Sequence, residues 1–191
     1  MGKTDKREDI ICAALELIAE HGFHGAPMAM IAERAGVGAG TIYRYFENKD
    51  VLIAELYRDL EGRITPFLLE GYDEQRPIHE RFIHLGSALL HYFIRNPLDF
   101  RYLEQFHNSP YGVEFRREKL LGKQDNDDAY QKLFADAIAQ QMAKDLPLAV
   151  LFALAFGPLI SAARDHILGF IDLDGALITR IIEACWDAIK R

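Results

Sequence analysis

Apolar residues recur three and four positions apart along most of this chain, and short polar, glycine- or proline-bearing breaks separate the segments that show the spacing. Ile10, Ile11, Ala14, Leu15, Leu17 and Ile18 predict a first helix over about 6–20, ending near Gly22. Ile31, Ala32 and Ala35 give residues 28–35 one apolar face, and Gly36 supplies the positive φ at which a helix can stop. Val37 then fills the turn as a buried plug. A short third helix from Ala39 places Ile42 and Phe46 four apart toward a core, which turns Thr41, Arg44 and Tyr45 away from it. A fourth helix starts at Asn48, carries Val51, Leu52, Leu56 and Leu60, and bends or ends near Pro66. Beyond the polar break 71–77, a fifth covers 78–95 with Phe82, Leu85, Gly86, Leu89 and Phe93 on one face, stopped by Asn96-Pro97. A shorter helix over 98–107 precedes SPYGVEFRREKLLGKQDNDD, which reads as an irregular connection with one helical turn. Three more helices are expected over 128–144, 146–168 and 174–190.

Composition sharpens this picture. The 191 residues hold 23 Ala and 23 Leu against 4 Val and 4 Thr, which favours helix over strand, so the expected class is all-α with about nine helices. The length suffices for a small head over 1–47 and a larger helical body over 48–191. Cys12 and Cys185 lie in apolar helical patterns, too few and too far apart for a disulfide framework or zinc site, and read as buried, reduced thiols. His84 and His91 are seven apart on one face, roughly 10 Å along a helix, too far to share an ion. His21 and His24 read as capping or solvated groups. No metal, cofactor or catalytic set is expected, and the charged N-terminus MGKTDKRED has no signal-peptide character.

The net charge of −7 sits poorly with a polyanionic partner until its distribution is considered. Arg34, Arg44 and Lys49 oppose Glu47 within one short stretch, with Lys3, Lys6 and Arg7 nearby, and acidity elsewhere suppresses loose binding to nucleic acid. That stretch includes AGVGAGTIYRYFENKDVL, residues 35–52. It combines a glycine-bearing turn, a very short helix with hydroxyl, phenol and guanidinium donors, and a fresh helix start at Asn48-Lys49-Asp50. Lys49, in a first helical turn where the macrodipole gives a cation nothing, asks for an external anion. The GVGAG string follows a helix and lacks the spacing of a nucleotide loop.

Together with IICAALELIAEHGFHG, IAERAGV, GTIYRYF and FENKDVL, from about Arg7 to Tyr57, this layout resembles the TetR/AcrR family of one-component transcriptional regulators. The resemblance implies an N-terminal three-helix helix-turn-helix whose third helix enters the major groove of operator DNA. It places Ala39, Gly40 and Thr41 at base edges, and Tyr43, Arg44, Tyr45 and Lys49 on phosphate, with Arg44 able to reach a base. Pro27 stands where the family usually has a capping Ser or Thr, and Gly38 replaces another common capping Ser. The resemblance further implies a bacterial cytoplasm and a homodimer whose last two long helices pack against their copies.

Residues 146–163 carry no charge, a length that would also suit a membrane span, but Gly157-Pro158 interrupts the run and Arg164-Asp165 follows, so a helix buried on nearly all sides is expected. Leu151, Ala155 and Leu159, with Ile178, Ile182, Cys185 and Ile189, form the expected dimer seam. Gly157-Pro158 is expected to kink its helix. Aromatic residues crowd 92–115, and Phe106, His107, Tyr111 and Phe115 are candidates to line a cavity for a small, largely hydrophobic effector. The function expected is a ligand-released repressor; a ligand-binding protein with a degenerate head, or an activator, is the alternative.

Overall fold

The computed structural model describes residues 5–120 and 128–191, without the side chains of Arg116 and residues 118–120. Ten helices form among the described residues: α1 (Lys6–Gly25), α2 (Met28–Arg34), α3 (Ala39–Tyr45), α4 (Lys49–Leu69), α5 (Ile78–Arg95), α6 (Pro97–His107), α7 (Pro110–Leu120), α8 (Ala129–Ala139), α9 (Leu148–Ile167) and α10 (Gly175–Ile189). No strand occurs there, only an isolated bridge between Ala143 and Lys190. The chain divides into two compact units, Met1–Arg63 with Asn96–Arg116, and Ile64–Arg95 with Arg117–Arg191.

The first unit is larger than the expected head. α1 packs on α6, held by Gln105 Nε2 donating to the Ile18 carbonyl at 2.7 Å, and a buried bond from Tyr102 Oη to the Ile53 carbonyl at 2.8 Å ties α6 to α4. Ile10, Ala14, Leu17 and Ile18 form the inner face of α1. Asp5 caps its start by accepting from Arg7 N, and Gly22, at φ 74°, breaks the helical path before the last turn. α6 and the first part of α4 thus share a compact unit with α1–α3, beyond the 1–47 expected of the head.

Residues 110–120, expected as an irregular link, form α7. Gly112 makes this possible: a Cβ there would lie 2.1 Å from the Phe106 carbonyl oxygen, so only a glycine lets α7 fold back on the end of α6. Ser109 Oγ closes the corner by donating to the same carbonyl at 2.7 Å.

In the second unit α5, α9 and α10 pack on one another, with α8 against α5. Gly86 sits at the crossing, where an added Cβ would approach Ile182 Cγ2 to 3.1 Å. Leu151, Ala155, Leu159 and Ala163 of α9 are fully buried, while Ala149, Val150, Ala153, Leu154 and Pro158 are exposed. The helix is thus embedded on one face rather than on nearly all, and its outer face is apolar. By length and composition alone it could cross a membrane. It runs through Pro158 as one helix from Leu148 to Ile167. Cys185 is buried, and burial pushes its thiol up to about 11, whereas Cys12, expected inside, is exposed on α1.

Candidate functional site

α2 and α3 pack together as two seven-residue helices. Helices so short have little intrinsic stability, and burial holds them. Ile31, Ala32 and Ile42 are at most 1 % exposed and Phe46 closes the far end. Gly36, at φ 66°, makes the turn, and Val37, half-buried rather than plugged in, donates its N–H to the Ala32 carbonyl at 2.9 Å. Neither Pro27 nor Gly38 caps its helix through a side chain, as their chemistry requires. Asn48 does cap α4, its Oδ1 accepting from Val51 N at 2.9 Å.

Anchored by Ile42 alone, α3 presents most of its surface outward. Ala39, Gly40, Tyr43, Arg44 and Tyr45 are exposed and Thr41 is half-buried. A Cβ at Gly40 would meet nothing within 4 Å. The six residues expected at a DNA surface on this helix thus share about two helical turns, with two phenols, a hydroxyl and a guanidinium among them.

The surrounding cations are less available than their sequence positions suggest. Arg34 pairs with Glu16 at 2.8 Å, and Arg7 pairs with Glu55 at 2.9 Å while lying 5.8 Å over the Phe46 ring. Lys49 Nζ donates to the Phe23 carbonyl near the end of α1, and partial burial lowers its pKa from the ordinary lysine value. Its cation thus has an internal acceptor, which answers the misplaced charge without an external anion, although an ammonium has two further donors. Arg44 has no ion pair among the described residues and is the exposed cation of α3.

Three of the expected effector residues pack on or bond to α4. Phe106 stacks on Tyr57 at 4.2 Å, Phe115 tilts against Tyr57 at 4.5 Å, and Tyr111 Oη donates to Asp50 Oδ1 at 2.7 Å, all within the first unit. Phe106 is buried core and His107 is exposed. A groove of about 520 Å³ lies in the second unit, lined by Phe134 and Ile138 of α8, by Leu146, Leu148 and Leu151, and by Lys132. The expected dimer seam is corrected as well. Leu151, Ala155, Leu159, Ile178, Ile182, Cys185 and Ile189 are each at most 3 % exposed inside a single chain, so they hold α9 and α10 to the protomer's own core and cannot also meet a second copy.

Sequence reasoning missed a buried polar group in that core. Arg81, 3 % exposed, donates from Nε to Tyr72 Oη at 3.0 Å and from Nη1 to Asp136 Oδ2 at 2.8 Å. A signal was present: Ile78, Arg81, Phe82 and Leu85 share one helical face, and a charge on that apolar face needs a partner. No group of three or more potential metal ligands occurs among the described residues.

Two family descriptions match the chain: the bacterial regulatory proteins of the tetR family over residues 10–56, and the tetracyclin repressor-like C-terminal domain over 77–190. An HTH-type transcriptional regulator of Haemophilus influenzae is 27 % identical over 99 % of this chain and 98 % of its own, and the crystal structure of a TetR-family regulator from that organism superposes with a TM-score of 0.81. A putative TetR-family regulator from Vibrio parahaemolyticus is 33 % identical, covers 98 % of this chain and 99 % of its own, and has a TM-score of 0.76. The fatty acid metabolism regulator protein of Bacillus subtilis is 38 % identical over 79 residues, 41 % of each chain. With both halves matched and a helix-turn-helix built around α2 and α3, the chain belongs to the TetR family of DNA-binding transcriptional regulators.

Proposed function

We propose that the protein is a homodimeric repressor that reads operator DNA with α3 and is released by a small, largely hydrophobic effector held in the second unit. The observation that carries the DNA reading is the exposed cluster Tyr43, Arg44 and Tyr45, with half-buried Thr41 beside it, on a helix anchored through Ile42, with open backbone at Gly40. Phosphate contacts from the phenols would set position, and Arg44 and the small residues would read base edges. One seven-residue helix offers few such contacts, so useful affinity asks for two copies on a two-fold operator.

The apolar outer face of α9, centred on Val150 and Leu154, supports the second copy. Exposed apolar surface of this kind is a common mark of self-association. An effector relieves repression only if it binds the DNA-incompetent form more tightly, and α4, which belongs to both units, is the helix through which such a preference would act. Selection of duplexes from a random pool, followed by light scattering of the complex, tests the reading. Enrichment of a pseudo-palindrome bound by two or an even number of chains is expected, and recovery of unrelated sequences would refute it. A reporter placed behind the selected site should be silenced by the protein; stimulation would make it an activator.

A further inference from the structure

Among the described residues, two side-chain hydrogen-bonding atoms of the second unit are buried without a partner: Nη2 of Arg81 and the hydroxyl of Tyr130. Such atoms are rare in folded proteins because burial strips water from them and returns nothing. They also belong to one neighbourhood. Tyr72 Oη accepts from Arg81 Nε, and burial above all, then the Asp128 carboxylate and then Tyr72, raises the pKa of the Tyr130 hydroxyl. Phe82, next to Arg81 in sequence, packs on Phe156 at 6.0 Å, and Tyr130 meets the same ring edge-on at 4.8 Å. Phe134 and Phe152 complete the aromatic surround.

Asp136 neutralises one edge of the Arg81 guanidinium and leaves the Nη2 protons directed elsewhere. What satisfies a buried guanidinium edge and a phenol O–H together is an acceptor with two oxygens and a negative charge. What suits the surrounding phenylalanines is an apolar body. We propose that Arg81 Nη2 and Tyr130 Oη are the head-group receptors for a monocarboxylate effector whose hydrocarbon or aryl body lies against Phe134, Phe152 and Phe156. The inference rests on the effector-released reading above and gives that effector its class. Phe134 is also a wall of the 520 Å³ groove, which brings the groove to the edge of this aromatic cluster.

Calorimetric titration of the full chain without DNA, using 4-phenylbutyrate and octanoate against their uncharged amides, tests the assignment. At least one carboxylate should bind in the millimolar range or tighter, and at least tenfold better than its amide. Tyr130→Phe removes an atom that holds nothing in the free protein, so it should leave the melting temperature equal or higher while weakening the carboxylate about tenfold or more. Arg81→Lys keeps a charge beside Asp136 but loses the fork, and should weaken binding further. If neither carboxylate binds, if the amides bind equally well, or if Tyr130→Phe lowers the melting temperature and spares affinity, the assignment is overturned. Adding the same compounds to the operator complex separates the two readings. Binding without release would keep the site and refute its role as effector site; release by an uncharged compound would keep the regulatory reading and refute the carboxylate site.

Discussion

α3 and α9 place their apolar residues in opposite ways and leave faces of opposite character uncovered. α3 buries one side chain, Ile42, and exposes phenols and a guanidinium, whereas α9 buries Leu151, Ala155, Leu159 and Ala163 and still exposes Val150, Leu154 and Pro158. A polar outer face on a helix this short suits a wet, charged partner, and an apolar outer face on a long one suits a dry partner. Apolar content therefore reports that a face is covered but not by what; the cover is the protomer for Ile182 and, in the proposed assembly, a second chain for Leu154.

The sharpest way to break this comparison is to charge each kind of position. Ile182→Glu puts a carboxylate at a site 1 % exposed, among α5, α9 and α10, with no partner, and should cost more than about 4 kcal/mol, leaving the second unit unfolded by circular dichroism. Leu154→Glu, at a site 37 % exposed, should keep the melting temperature of the protomer yet shift light scattering from dimer to monomer. Equal effects of the two would erase the distinction between inner and outer faces. Gly112→Ala comes next, because its Cβ overlaps the backbone of Phe106 and His107, and a loss of about 3 kcal/mol is expected by denaturant titration. Retained stability would show that α7 can leave α6 at little cost.

On the DNA side the effects are smaller and fall on binding. Arg44→Ala should leave stability unchanged and weaken operator binding by about ten- to a hundred-fold in a gel-shift titration, the range of one good base or phosphate contact. Lys49→Ala has two consequences, since the ammonium is already bonded to the Phe23 carbonyl. A stability loss of about 1 kcal/mol should accompany a reduction of the salt slope by about one if Lys49 also touches phosphate. A stability loss with an unchanged slope would make it purely a tie between α1 and α4. Gly40→Ala is the mildest: with open space for the Cβ it should raise stability by about 0.5–1 kcal/mol while lowering operator affinity, and improvement of both would deny a close approach of backbone to DNA.

Much of the molecule was legible in its local pattern. The fifth helix was placed at its observed limits, 78–95, by an apolar stripe and the Asn96-Pro97 stop, and the α2–α3 turn by Gly36 and Ile42, because these signals act between residues a few positions apart. α7 is not legible in this way: proline, glycine and charge describe a loop locally, while the fact that decides it is the absence of a Cβ where Gly112 crosses the end of α6.

Contiguous residues suffice for the helical class, the family and the surface of α3. Tertiary structure alone decided which side of α9 and α10 is already covered, which cations are already paired, and where a buried charge is held. Arg81 meets Tyr72 nine residues away and Asp136 fifty-five away, and Lys49 meets Phe23 across twenty-six. A periodic pattern specifies that a face is apolar and leaves its neighbour unspecified, because burial is a property of two surfaces and the chain states only one of them.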